Sequence, residues 1–196
     1  MLEVVDRDEQ RRAAVMRWRR TERQRLMDAR LALPSVERRA RSTLIASHLD
    51  ETLGDVSGLT VAVYWPFRGE PNLRPWMERI HARGARCALP VVVERRAPLV
   101  FRAWRPGARM TAGFWDIPVP ADGCEVTPDV VLAPVVGFDA AGYRLGYGGG
   151  CYDRTLAAMA RRPRVIGVGL GLAAIATIHP LAHDIPMQVI VTEGGP

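Results

Sequence analysis

The chain contains no lysine: all 27 of its basic residues are arginine. That absence excludes a Walker-type phosphate loop, which needs its lysine, and Schiff-base catalysis, which needs a lysine amine. Any phosphate must be gripped by backbone amides and guanidinium forks, which suit bidentate contact with oxyanions. Cysteine is scarce. Cys87, Cys124 and Cys151 lie far apart without metal-ligand spacing, and a reduced cytoplasm fits best. No run reaches the ~18 apolar residues of a membrane span, since the nearest, residues 165–178, is short and broken by glycines. Residues 1–12 are charged and lack the apolar core of a signal peptide.

What is present suits one soluble domain: 196 residues, nearly half of them apolar, are enough to bury a sizeable core. The net charge of +6 fits an anionic substrate and, more loosely, nucleic acid. Residues 6–33 read as one charged, arginine-rich helix ending at Pro34. Residues 35–53 read as a second, with Ser35 as N-cap, a stripe of Leu44, Ile45 and Leu49, and Gly54 behind it. Strands then alternate with helices. Residues 60–64, 87–93, 99–104, 130–136, 165–169 and 188–192 are expected strands, the third at an edge or in a hairpin. Residues 73–83 and 152–162 are expected helices, and residues 105–128 a proline- and glycine-rich connection. This alternation predicts a single α/β domain, an open, largely parallel sheet flanked by helices, with a helical N-terminus.

The densest chemistry lies at residues 142–154, which hold Arg144, Gly146, Tyr147, the run Gly148, Gly149 and Gly150, then Cys151, Tyr152, Asp153 and Arg154. Successive glycines let backbone N–H groups face one concavity, because no Cβ blocks left-handed φ or a ligand's approach. Feeding a helix N-terminus, such a nest favours phosphate. Arg144 adds positive charge, and Asp153 either holds a metal riding on the phosphates or caps its helix. A loose surface turn is the plainer alternative for the glycines. The motif follows the strand ending at Val136, and ligands of open α/β sheets bind beyond the carboxyl ends of strands.

These residues resemble the signature of the 5-formyltetrahydrofolate cyclo-ligases, also called methenyltetrahydrofolate synthetases. Further landmarks follow in the family's order: residues 19–23, 64–70, 88–91, 113–120, 133–139, 183–186 and 191–193. The resemblance implies a family domain over 16–196 and an extension over 1–15. It implies an ATP- and magnesium-dependent closure of 5-formyltetrahydrofolate to 5,10-methenyltetrahydrofolate. By the same resemblance Arg19, Arg20, Arg23, Arg144, Gly146, Tyr147, Gly148, Gly149, Gly150 and Tyr152 would bind ATP. Phe67, Glu70, Tyr147, the three glycines and Cys151 would meet the reduced folate, with Arg144, Tyr152 and Asp153 catalytic. Asp153 and Asp184 would be the magnesium carboxylates, with His183 orienting Asp184. A monomer that engages neither nucleic acid nor membrane is expected.

Several positions depart from the family's pattern. Arg19 stands where lysine is common, Cys151 where an aromatic ring is common, and residues 171–174 lack the family's glutamine. Asn72 and Gln188 replace frequent acidic residues. These departures fall mainly on the folate half. Two other readings compete: an ATP-binding paralogue with another substrate or without ring closure, and a nucleic-acid-binding module suggested by charge alone.

Overall fold

A computed structural model describes residues 2–196, with side chains from Asp8 onward. Of the expected extension, Met1 and the side chains of residues 2–7 lie outside the described residues. Helix α1 (Leu2–Ala32) runs unbroken into the body, and α2 (Ser35–Leu53) folds back after Pro34. Ser35 is not a cap: Pro34 occupies the N-cap position and no side chain bonds there. The buried stripe of α2 is Ser42, Ile45, Ala46 and Leu49, while Leu44 faces solvent, because it lies about 100° around the helix from Ile45.

The six-stranded sheet is built from β1 (Thr60–Ala62), β2 (Arg86–Val91), β3 (Val100–Trp104), β6 (Val130–Pro134), β9 (Arg164–Val168) and β10 (Val189–Val191). Its order is β10-β9-β6-β1-β2-β3. All pairings are parallel except β2 with the edge strand β3. The expected α/β architecture with a largely parallel sheet is thus the one adopted. Pro90 is tolerated in β2 because the β1 ladder ends at Ala62↔Ala88, before a missing N–H would matter.

Period-two alternation distributes the strand side chains over two cores. Val61, Val63, Val130 and Leu132 pack with Ile45 and Leu49 of α2 and with Trp76, Met77 and Ile80 of α3 (Arg74–Ala82). Ala62, Val131 and Ala133 face the other way, toward Leu156 of α4 (Cys151–Ala158). Trp76 is almost wholly buried, and its indole N–H donates to Asp50 Oδ1 at 2.9 Å, so its one polar atom is satisfied. Helix α4 stops at Ala158, earlier than the sequence suggests. The strand β9 begins at Arg164, and the chain must already be extended before Pro163.

Two small ribbons were not anticipated. The connection 105–128 contains β4 (Met110–Ala112) paired with β5 (Pro118–Pro120), and β7 (Gly137–Phe138) pairs with β8 (Arg144–Leu145). The described residues contain no helix long and apolar enough to cross a membrane.

Candidate active site

The chain passes from β1 to β2 on one side of β1, and later places β6 on the other. The carboxyl ends of β1 and β6 therefore flank a topological switch point, where open α/β sheets bind ligands. Beyond β1 lies the turn carrying Phe67 and Glu70. Beyond β6 come the β7–β8 ribbon, the glycine loop and α4. Asp139, itself buried, organises this second segment. Its Oδ1 accepts the Ala141 and Tyr143 N–H groups, both at 3.1 Å, and its Oδ2 accepts the Ile178 N–H at 3.0 Å. Gly148 (φ 91°) and Gly150 (φ 63°) are left-handed, and Gly150 is the N-cap of α4. No side chain caps that helix, so Asp153 is not its cap.

Helix α1 brings a file of residues to this loop at helical spacing: Arg19, Arg23, Leu26 and Arg30. Arg20 falls off that face and is exposed, so the structure does not bring it to the site. Arg19 is buried and saturated. It donates to the carbonyls of Ile178 (2.9 Å) and His179 (2.8 Å) and meets both oxygens of Asp184, at 3.3 and 2.5 Å. Burial pushes the Asp184 carboxyl up, but the hydrogen bonds from Arg19 and the Leu181 N–H outweigh it and hold it below its ordinary value. Arg19, not His183, orients Asp184: His183 is exposed and 3.8 Å away.

Arg23 is the opposite case. Its Nε is buried without a partner, no acid among the described residues pairs with it, and a Cβ on Gly148 would lie 3.4 Å from its guanidinium. Burial and the neighbouring Arg19 charge both lower its pKa, disfavouring a cation that nonetheless stays protonated at neutral pH. An anion seated in the glycine loop would offset both the desolvation and the Arg19 charge. Arg154 lies on the loop's other flank, its guanidinium 3.0 Å from where a Gly150 Cβ would be, donating to the Gly149 carbonyl and leaving Nε unpartnered. Arg144 is buried beneath, bonded to the Ile185 carbonyl at 3.0 Å and to Asp153 Oδ1 at 3.1 Å, with its charge 5.8 Å from the Tyr152 ring.

Across the loop, Tyr147 meets the β1 turn. Its hydroxyl lies 2.8 Å from Glu70 Oε1, and Glu70 Oε2 accepts the Phe67 N–H at 2.9 Å. Burial raises the Glu70 pKa to about 7, against the lowering influence of Arg30, Tyr147 and the Phe67 amide. Burial also pushes the Tyr147 and Tyr152 phenols up, so neither is a base at neutral pH. Phe67 stacks on Trp115 at 5.9 Å, and both rings meet Tyr147 edge-on at 5.8–5.9 Å, making an aromatic wall. Trp115 is 51% exposed and sits at φ 59°, a left-handed turn that swings its ring toward the site. Cys151, half-buried in the first turn of α4, has its sulfur 3.2 Å from where a Gly149 Cβ would be. Burial pushes the Cys87 thiol up to about 12, which leaves it unreactive.

Among the described residues no three His, Cys, Asp or Glu side chains cluster as a metal cage. Asp153 Oδ1 is taken by Arg144 and by the Ile185 N–H at 3.0 Å, while Oδ2 accepts no hydrogen bond from the described residues. Magnesium is commonly held by one or two carboxylates with phosphate and water, so the free Asp153 oxygen fits that cation once phosphate is present. Both oxygens of Asp184 are engaged by Arg19.

The sequence pattern assigned no ligand role to Arg30, Arg154 or Trp115, although Arg154 lies within the glycine motif. The spacing 19, 23, 26, 30 on one helix was a legible signal for Arg30. Nothing local marked the left-handed turn at Trp115.

A family profile for 5-formyltetrahydrofolate cyclo-ligases matches residues 15–193. The chain belongs to that family. It is 32% identical over 175 residues to the 5-formyltetrahydrofolate cyclo-ligase of Mycolicibacterium smegmatis, covering 85% of this chain and 89% of that one. It is 34% identical over 140 residues to the Escherichia coli cyclo-ligase, covering 68% and 77%. The 5,10-methenyltetrahydrofolate synthetase of Aquifex aeolicus superposes with a TM-score of 0.76 at 29% identity, over 89% of each chain. The synthetase of Mycoplasma pneumoniae shares the fold, with a TM-score of 0.73 at 22% identity over 89% of this chain and 98% of that one. As a cyclo-ligase family member the chain is an enzyme of the ligase class.

Proposed function

We propose that this enzyme closes 5-formyltetrahydrofolate to 5,10-methenyltetrahydrofolate with conversion of ATP to ADP and phosphate. The observation that carries the nucleotide half is Arg23, a half-buried guanidinium with its Nε buried and unpartnered and no acid partner among the described residues, against a left-handed glycine in a loop that opens a helix. Triphosphate supplies the missing charge. Arg23, the loop amides and Arg154 would neutralise phosphate oxygens, which is most of what phosphoryl transfer asks of a protein. Arg144 would act from below, as a fixed charge steadying Asp153 and Tyr152. When bound, magnesium would neutralise β- and γ-phosphate charge, held by Asp153 through Oδ2. Asp184 would contribute by holding Arg19 and its loop in place.

The folate would enter between the aromatic wall and the glycine loop. Phe67, Trp115 and Tyr147 offer faces and edges to a flat ring, and Glu70 offers a carboxylate to its N–H donors. The formyl oxygen attacks the γ-phosphorus, the bond to the bridging oxygen breaks, and ADP leaves. N10 then adds to the activated carbon and gives up its proton. The C–O bond breaks, releasing inorganic phosphate and leaving carbon joined to N5 and N10. Excluding water from the phosphorylated carbon is the protein's remaining task, and the rings around Tyr147 suit it.

Incubating the purified chain with ATP, magnesium and 5-formyltetrahydrofolate tests this directly. The methenyl product's near-ultraviolet absorbance should grow in step with ADP. Normal ATP binding without product at any folate concentration would favour the paralogue reading instead.

A further inference from the structure

Arg30 sits near the end of α1, only 4% exposed, and forms no salt bridge with a carboxylate among the described residues. Its Nη2 donates to the Tyr147 hydroxyl at 2.7 Å, while Nε and Nη1 are buried without partners. Arginine cannot accept a hydrogen bond, so the Tyr147 oxygen must be the acceptor there. The single phenolic proton then goes to Glu70 Oε1 at 2.8 Å; the competing Phe67 carbonyl is at 3.5 Å. Glu70 Oε2 accepts the Phe67 N–H. Both carboxylate oxygens are thus acceptors, an arrangement that favours the ionised form without requiring it.

We propose that Arg30 is a positioning residue for the folate half of the site, acting through Tyr147 to keep the Glu70 carboxylate ionised and aimed at the substrate. The role assigned to Glu70 rests on the proposed function; the action of Arg30 on Glu70 does not. A buried cation with one neutral hydrogen-bond partner is costly, and a nearby carboxylate is what makes it tolerable. The other groups facing this turn do not replace it. Tyr64 and Tyr152 are neutral phenols whose pKa values are raised partly by the Glu70 charge itself. Arg38 of α2 packs against Gly69 but spends its guanidinium on the Leu31 and Leu33 carbonyls, and Arg68 lies over the outer face of Phe67, 5.0 Å from its centroid. Burial already lifts Glu70 to about 7, so near neutrality its charge state depends on what Arg30 contributes.

The test compares the wild type with Arg30→Met and Arg30→Lys, following initial rates against 5-formyltetrahydrofolate from about pH 6 to 8.5 at saturating ATP. If Arg30→Met moves the Glu70 titration up by one unit, its ionised fraction at pH 7 falls about fivefold, and the folate KM should rise by that factor. The effect should fade at higher pH, leave kcat and the ATP KM unchanged, and be reversed in Arg30→Lys. In a Glu70→Gln background Arg30→Met should add no further pH dependence. A loss that is uniform across pH, or that falls on kcat and ATP alike, would overturn the proposal. Should Arg30→Met fail to fold, Tyr147→Phe severs the same link without removing the charge and should show the same pH signature. A carbon-13 titration of labelled glutamate, with Glu70 assigned by its loss in Glu70→Gln, reads the proposal without turnover. An unmoved Glu70 midpoint in the variant overturns it, whereas a wild type that neither binds nor cyclises the folate overturns the proposed function alone.

Discussion

Arg19 closes on Asp184 at 2.5 Å, joining the first helix to a loop 165 residues further along the chain, with both side chains almost fully buried. One helical turn later, Arg23 reaches the same region with no acid opposite it among the described residues. Two arginines on one face of α1 therefore do different work. The first fastens the helix to the body, and the second is left with charge for a ligand.

Removing one partner of the Arg19–Asp184 pair strands the other charge in the interior, which costs about 3–5 kcal/mol. Asp184→Ala should therefore lower the melting temperature sharply, and adding Arg19→Met should recover part of the loss. The Asp184 pKa is depressed on folding, so its stabilisation is present above the unfolded value and lost as pH falls through the folded one. The melting-temperature gap between wild type and the double variant should accordingly shrink in acid below about pH 4.

Arg23→Ala removes a half-buried cation that no acid among the described residues pairs. The apo enzyme should keep or gain thermal stability while ATP affinity falls about 10- to 100-fold, the loss expected for one charge-assisted hydrogen bond. Calorimetry decides it: unchanged ATP affinity in a folded variant would move the phosphates elsewhere. Arg144→Ala should weaken ATP too, yet also destabilise the fold, because it strands the Ile185 carbonyl and Asp153.

Asp153→Asn retains an acceptor for the Ile185 N–H but loses the charge offered at Oδ2. The fold should survive, and the magnesium concentration for half-maximal rate should rise. A lower melting temperature with ordinary magnesium dependence would make Asp153 a structural anchor for Arg144.

Glu70 carries a pH signature in stability as well. Its pKa is raised from 4.5 to about 7 on folding, so between those values the folded state binds the extra proton. Stability of the wild type relative to Glu70→Gln should therefore grow by about 1.4 kcal/mol for each unit that pH falls across that window, and level off on either side. Denaturant melts at three or four pH values within it suffice, and a flat difference would contradict the burial of this carboxyl.

Cys151 opens α4 behind the glycine loop, at the position where the family resemblance leads one to expect an aromatic ring. Cys151→Tyr should lower the folate KM with little effect on ATP, and Trp115→Ala should raise the folate KM about 2- to 12-fold, the worth of one aromatic contact. Trp115 is half exposed, so its loss should leave the melting temperature nearly unchanged.

The sequence by itself determined the architecture and marked out the candidate site. Unbroken apolar runs such as 61–63 and 130–133, glycines where helices stop, and the run Gly148–Gly150 ahead of α4 are local signals, governed by backbone sterics and short-range patterning. The two small ribbons were less legible, being short, rich in proline and glycine, and dependent on pairing across a loop. The division of labour among the arginines was decided only by the tertiary structure. Arg19, Arg23 and Arg30 share residue type, helix and face, and differ in what arrives opposite them: Asp184, Gly148 and Tyr147. A charge's role depends on its partner and its burial, and both are supplied here by segments more than a hundred residues away, brought in by the packing of α1 against the glycine loop.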